Sequence, residues 1–157
     1  MSGMSHLDEQ GRARMVDVSA KPETPRVAVA EALVTLAPGT RQAVFAGDLP
    51  KGDARAVVRL AAIMGAKRTA DVVPLCHPIT LSAVEADITE TATGARVEVR
   101  VATTGRTGVE MEAMTGAALG AILAVLIVIP LAGVLHASFL AALPAIWMAA
   151  VLTLKQK

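Results

Sequence analysis

The sequence predicts an α+β domain, an antiparallel sheet packed against helices, followed by an apolar helical C-terminal segment. Three observations predict it. Residues 82–91 and 94–104 each alternate apolar and polar side chains, with Val97, Val99 and Val101 on one face and Glu98 and Arg100 on the other. Two such runs separated by a short turn read as an antiparallel hairpin. Asp53 precedes a stretch in which Ala54, Val57, Val58, Leu60, Ala61 and Met64 recur at three- and four-residue steps, the period of a helix with one buried face. Finally, residues 113–154 contain no Asp, Glu, Lys or Arg, although 18% of the 157 residues are charged. An ordinary soluble chain carries about 25% charged residues, so a run of this length marks a change of character.

Taken in order, residues 1–25 form a polar arm without the apolar core of a secretion signal. Within the arm, Met15 to Ser19 alternates and suits a short edge strand, after which Pro22 and Pro25 interrupt regular structure. Residues 26–36 read as a strand, and Pro38-Gly39 as a break. Residues 47–52 are rich in turn formers. Asp53 is placed to cap the helix that follows, which runs to about Ala66, with Gly65, Lys67 and Arg68 marking its C-terminus. Residues 70–73 start a short helix or strand stopped by Pro74. Leu75, Cys76, His77 and Pro78 then form a loop constrained between two prolines. After the hairpin comes a loop at 104–108. A helix opens near Val109 and carries Glu110, Met111, Glu112 and Met114.

The charge-free run would make about 63 Å of helix at 1.5 Å per residue, against a bilayer core of about 30 Å. Two arrangements fit. One has a span near 113–131 and a second near 134–154, turning around Pro130 to Gly133. The other has a single span over about 131–154, with 113–130 as a buried helix of the soluble domain. Trp147 and the lysines at 155 and 157 suit an interfacial anchor with positive charge on the cytoplasmic side. The domain before the run is expected in the cytoplasm, with membrane attachment through residues 116–154.

Composition removes several functions. A net charge of +1, two Phe, one Trp and no Tyr leave neither the cations nor the stacking platforms of a nucleic-acid binder. The single cysteine, Cys76, forms no internal disulfide, and a reducing compartment suits it. One cysteine and three scattered histidines give no metal-ligand spacing, so neither a metal nor another cofactor is expected.

The chemistry-bearing candidates each have a plainer reading. Lys51 lies in a glycine-flanked loop before a helix, where a lysine reaches phosphate or is simply solvated. Lys67 and Arg68 are cations favoured by a helix dipole. His77, pinned beside Pro78, is a catalytic group on a rigid loop or a structural histidine. Cys76 reads as a small buried hydrophobe rather than a nucleophile. Glu110 and Glu112 lie two apart, about 200° around a helix, so they share a pocket only at its very start. Otherwise they are acidic residues stabilised at the N-terminus of the helix.

Four motifs change the weighting: RMVDVSAK at 14–21, PKGD at 50–53, AKRTADVVPLCHPI at 66–79 and TGVEMEAMT at 107–115. In this order and spacing the chain resembles the cyclic pyranopterin monophosphate synthase family of molybdenum-cofactor biosynthesis, from about His6 to Gly120. The resemblance implies a ferredoxin-like fold and a homo-oligomer, a hexamer built from dimers with active sites at subunit interfaces. It implies conversion of 3',8-cyclo-7,8-dihydroguanosine 5'-triphosphate to cyclic pyranopterin monophosphate with release of pyrophosphate. Carried over by position, Lys51 and His77 are phosphate-binding or catalytic groups. Leu75, Cys76, His77, Met111 and Glu112 line the substrate pocket and Glu110 shapes it. Lys21, Lys67 and Arg68 are further substrate-binding candidates.

The chain also departs from the family pattern. The family continues its last helix with Tyr-Asp-Met-x-Lys-Ala, whose aspartate is catalytic, then a strand and a glycine- and lysine-rich tail. Counted from Glu112, the aspartate and lysine positions hold Leu126 and Ile129. The sequence therefore divides into a truncated synthase-like domain at 1–120 and an apolar segment at 121–157. The first reading is an enzyme of this family impaired by an incomplete active site; a non-catalytic, membrane-tethered family member and a nonfunctional hybrid are the alternatives.

Overall fold

The computed structural model describes residues 6–47, 49 and 52–128. The elements run β1 (Thr24–Thr35), α1 (Pro38–Ala46), α2 (Ala54–Lys67), α3 (Thr69–Val72), β2 (Ala83–Thr91), β3 (Gly94–Gly105) and α4 (Glu110–Leu123), with a π-helical turn over Ala124–Val128. Three antiparallel strands lie in the order β1-β3-β2. The register runs from Thr24 opposite Gly105 to Thr35 opposite Gly94, and from Ala83 opposite Ala102 to Thr91 opposite Gly94. The fold is thus mixed α and β, with an antiparallel sheet and helices.

Alternation decides which side of the sheet is covered. Ala28, Ala30, Ala32 and Val34 of β1 and Val97, Val99 and Val101 of β3 are buried. Helices α2 and α4 pack on them through Val58, Ala62, Ala66, Ala113, Ala117 and Ala121. The opposite face carries Arg96 between Glu31 and Glu98, and Arg100 beside Glu85, at 3.4–3.8 Å. Such exposed pairs each contribute at most about 1 kcal/mol, so apolar burial holds the sheet to its helices.

Small residues set how closely α2 and α4 approach. A Cβ added at Gly116 would lie 2.9 Å from the Ala62 carbonyl and 3.0 Å from Val99. One added at Gly65 would meet Leu119 and the Thr115 carbonyl, each at 3.0 Å. The pairings of 65 with 115 and 119, of 62 with 116 and 120, and of 58 with 120 make the two helices antiparallel. Gly116→Val is therefore expected to lower unfolding free energy by about 1–3 kcal/mol through overpacking, read by chemical denaturation.

Several elements differ from the sequence expectations. Residues 15–19 join no sheet: Asp17 folds its carboxylate onto the Ser19 backbone N–H at 2.9 Å, and the Val18 carbonyl accepts from the Lys21 N–H. This local turn competes with a strand. Pro38-Gly39 is not a break but the first turn of α1, where a proline loses no hydrogen bond. Helix α2 ends at Lys67 as expected, with Gly65 in its last turn accepting from the Arg68 N–H; close contact with α4 also requires that Gly65 lack a side chain. The capping role of Asp53 holds, since its carboxylate accepts from the Arg55 N–H at 2.9 Å.

Among the described residues no helix is long and apolar enough to cross a membrane. The first span of the two-span arrangement is overturned, because Ala113, Gly116, Ala117, Gly120 and Ala121 of α4 are buried against the rest of the domain. Burial, rather than lipid, explains why this stretch lacks charge. The proposed span over 131–154 lies outside the described residues. Helix α4 runs through Gly120 without interruption.

Candidate functional site

One end of the sheet collects most of the candidates. β3 ends at Gly105 and leads into α4, whose N-terminus carries Glu110, Met111 and Glu112. The antiparallel partner α2 ends beside it at Lys67 and Arg68, both exposed. The loop from Val73 to Leu81 returns to the same end, where the Thr80 carbonyl accepts from Thr103 Oγ1 at 2.5 Å and the Ser82 N–H donates to the Ala102 carbonyl. The arm enters β1 there at Thr24, opposite Gly105, which places the exposed Lys21 nearby.

His77 is held by the arm. Its Nε2–H donates to the Val16 carbonyl at 2.8 Å, which leaves Nδ1 as the ring nitrogen outside this contact. The Ser19 hydroxyl and N–H hold the Asp17 carboxyl below the usual carboxylate range, and the charge of His77 lowers it further. Leu75 adopts a left-handed backbone, φ 66°, rare for a branched side chain, and is 37% exposed. That strain turns the chain sharply just before Cys76 and His77.

Cys76 is half-buried, and burial pushes its thiol up; the charge of Glu112 adds to the shift. A thiol in this state is a poor nucleophile at neutral pH, in keeping with the sequence reading. The same coupling sets Cys76 against the N-terminus of α4. Glu112 is 4% exposed and its carboxyl is pushed up by burial, with the charge of Glu110 adding to it. Glu110 is half-buried and folds its carboxylate back over Gly108, where no side chain intervenes. The two glutamates occupy the first and third positions of α4, where the charge of Glu110 reaches the Glu112 carboxyl. Met111, between them, is 39% exposed.

The raised carboxyl has a consequence for stability. Above the ordinary glutamate range the unfolded chain releases a proton that the folded chain retains, so Glu112 costs stability as pH rises from the unfolded value through the folded one. Glu112→Gln is expected to raise the thermal midpoint at pH 7.5 by a few degrees, about 1 kcal/mol, and to lose this advantage near pH 4. Melting curves at the two pH values check it.

Lys51 lies outside the described residues. Its surroundings are described: Leu49 is buried, the Gly52 N–H donates to the Leu49 carbonyl at 3.1 Å, and Gly52 has φ 102°, a conformation open to glycine. This loop leads into the N-terminus of α2, and His77 is at the other end. The 14 residues of α2 put about 20 Å between them at 1.5 Å per residue. The loop lies instead beside the far end of α4, where Ala124 lines one small cavity with Ala54, Arg55 and Val58. Leu126, the aspartate position of the family pattern, follows directly and is 61% exposed. Two candidate half-sites result: His77, Cys76, Glu110 and Glu112 at one end, and at the other Leu126 with Leu49 and Gly52, the described residues that flank Lys51.

Sequence reasoning missed the Val16 and Asp17 contacts with the His77 loop. The signal was present as Asp17-Val18-Ser19, an Asp two residues before a Ser, which favours an Asx turn.

The family model described as the MoaC family matches residues 15–128. The chain belongs to the MoaC family. A relative from Thermomicrobium roseum is 55% identical over 78% of this chain and 75% of its own length. One from Roseiflexus sp. is 51% identical and one from Corynebacterium glutamicum 49%, each over 78% of this chain and 78% of the relative. All three are named cyclic pyranopterin monophosphate synthase. The MoaC match spans both half-sites, from the arm that holds His77 to the turn that carries Leu126. Their shared name places the family in molybdenum-cofactor biosynthesis.

Proposed function

We propose that this MoaC-family chain binds 3',8-cyclo-7,8-dihydroguanosine 5'-triphosphate, the substrate of cyclic pyranopterin monophosphate synthesis, and converts it poorly. The observation that carries this reading is the unequal state of the two half-sites. The end with His77, Glu110 and Glu112 keeps its acid–base and polar groups, whereas the end near Lys51 has an exposed leucine at position 126.

The chemistry assigned to each residue follows from its surroundings. Lys51 holds the triphosphate as a point charge. His77, fixed through Nε2, presents Nδ1 to substrate and exchanges a proton there. Glu112, its carboxyl pushed up by burial, is the proton donor of this end. Leu75, Cys76 and Met111 give the pocket its apolar wall, and Lys21, Lys67 and Arg68 surround its mouth with positive charge. No metal or cofactor enters the scheme.

Two ends separated by the length of α2 do not meet on one small molecule within a single subunit. A second copy brings the Lys51 end of one subunit to the His77 end of another, as in the dimer-based hexamer that the family resemblance implies. The order β1-β3-β2, with helices on one face, is what a ferredoxin-like fold leaves when its fourth strand is set aside. We retain the division into a synthase-like domain at 1–120 and an apolar segment at 121–157 on the motif boundary. A non-catalytic binding member of the family is the second reading, favoured by the same exposed Leu126.

Calorimetric titration of the purified chain with the cyclic triphosphate tests the proposal. Saturable binding that pyrophosphate displaces is expected. Absence of binding, in protein whose circular dichroism shows it folded, defeats both readings.

A further inference from the structure

The outward surface of the helical layer has no use in the scheme above. Leu60 and Met64 of α2 are 62% and 57% exposed, and Ile122 and Leu126 at the far end of α4 are 39% and 61% exposed. Because α2 and α4 are antiparallel and touch along Gly65, Ala62 and Gly120, these side chains lie on one continuous surface pointing away from the sheet. Of the charged residues of α2, Arg55 bonds Asp53 and Arg59 reaches over the sheet edge to the Ala86 carbonyl and Asp87, while the exposed Lys67, one turn beyond Met64, borders the surface at its far end. Four large exposed apolar groups, bordered by charge at Lys67, form a patch of the kind that soluble proteins cover.

We propose that this surface is the seat of the chain's own apolar stretch at residues 131–154, folded back on α2 and α4. Connectivity favours this occupant. The chain leaves the described fold at Val128, two residues past Leu126, at the edge of the patch. Pro130 disfavours helix at the residue before it and removes a backbone donor, and Gly133 permits a positive φ, so the sequence between the described fold and 134 suits a reversal. Composition matches as well: 131–154 contains His136 and no Asp, Glu, Lys or Arg. Length is ample. Even fully helical, this stretch covers about 36 Å, against about 21 Å for α2. A bilayer span over the same residues leaves the patch in water, whereas folding back covers both apolar surfaces at once.

The test uses the whole chain with Cys76→Ser and Met64→Cys, a change at an exposed position that the fold tolerates. A hydrophilic maleimide in detergent-free lysate is expected to label the thiol at 64 about tenfold more slowly than a thiol at the exposed arm position Glu9→Cys. With a second cysteine from Ala141→Cys or Ala145→Cys, a flexible bis-maleimide is expected to give a cross-link within one chain, seen as a faster-migrating monomer. Labelling at 64 as fast as at 9 overturns the proposal. So does protection at 64 with cross-links only between chains, which assigns the surface to a second copy. Protection with no cross-link, together with sedimentation in the membrane fraction, assigns it to lipid and overturns the proposal too.

Discussion

The purified chain is expected to release pyrophosphate from the cyclic triphosphate at least about a hundredfold more slowly than a complete family member. A positioned general acid or base contributes about 10²- to 10⁴-fold. The family pattern puts an aspartate and a lysine where this chain has Leu126 and Ile129, and neither side chain moves a proton or pairs with phosphate. Assembly does not repair the loss, because each subunit supplies the same defective end. The geometry around the defect is otherwise intact. Helix α4 is continuous to Leu123, and Leu126 is exposed beside the end of α2 that follows Lys51. Replacing residues 121–157 by a family-type C-terminus is therefore expected to restore turnover. Leu126→Asp with Ile129→Lys alone is expected to fall short, since the glycine- and lysine-rich tail is still missing. Pyrophosphate release by purified protein, or rescue of a strain lacking the synthase, measures this. Robust turnover by the unaltered chain defeats the prediction and hands the missing proton transfer to Glu112 or His77.

What was legible in the sequence follows from the range of each signal. The β2–β3 hairpin and the strand β1 came through because alternation over nine to twelve residues has one reading when one face is buried. Helix α2 came through because Asp53 capped a run with helical period. Helix α1 did not, because Pro38-Gly39 is a break signal unless the proline falls in the first turn. The arm failed for the opposite reason: a short alternation at Met15 to Ser19 imitates a strand, but no neighbouring strand receives it, and Asp17 has a closer partner in Ser19. The uncharged stretch of α4 was ambiguous in principle. A helix wedged between a sheet and another helix lacks charge for the same reason as one in lipid, and only the packing of Gly116 and Gly120 against Ala62 decides between them. At the site, proximity within the loop and within the helix start was readable. The separation of the start of α2, which follows Lys51 in sequence, from the His77 loop was not, because it depends on the length of α2 and on which end of it the loop packs against.

That separation makes the last expectation specific. Lys51→Ala and His77→Ala are each expected to weaken binding of the cyclic triphosphate by about ten- to a hundredfold, the equivalent of one charged hydrogen bond of about 1.5–3 kcal/mol. Cys76→Ser is expected to leave affinity unchanged, since burial keeps this thiol protonated and serine preserves its size. Calorimetry on the three variants measures each effect, and unchanged affinity in both alanine variants removes these residues from the site. The two-ended arrangement adds a test that a site within one subunit does not pass. On the proposed arrangement, each composite site takes its lysine from one subunit and its histidine from another. In oligomers reassembled from equal amounts of Lys51→Ala and His77→Ala chains, random mixing gives about a quarter of the sites an intact pair. Tight binding at that stoichiometry is expected, although neither variant alone binds tightly. Its absence, in mixed oligomers shown to contain both chains, places Lys51 and His77 in one subunit's pocket or in none.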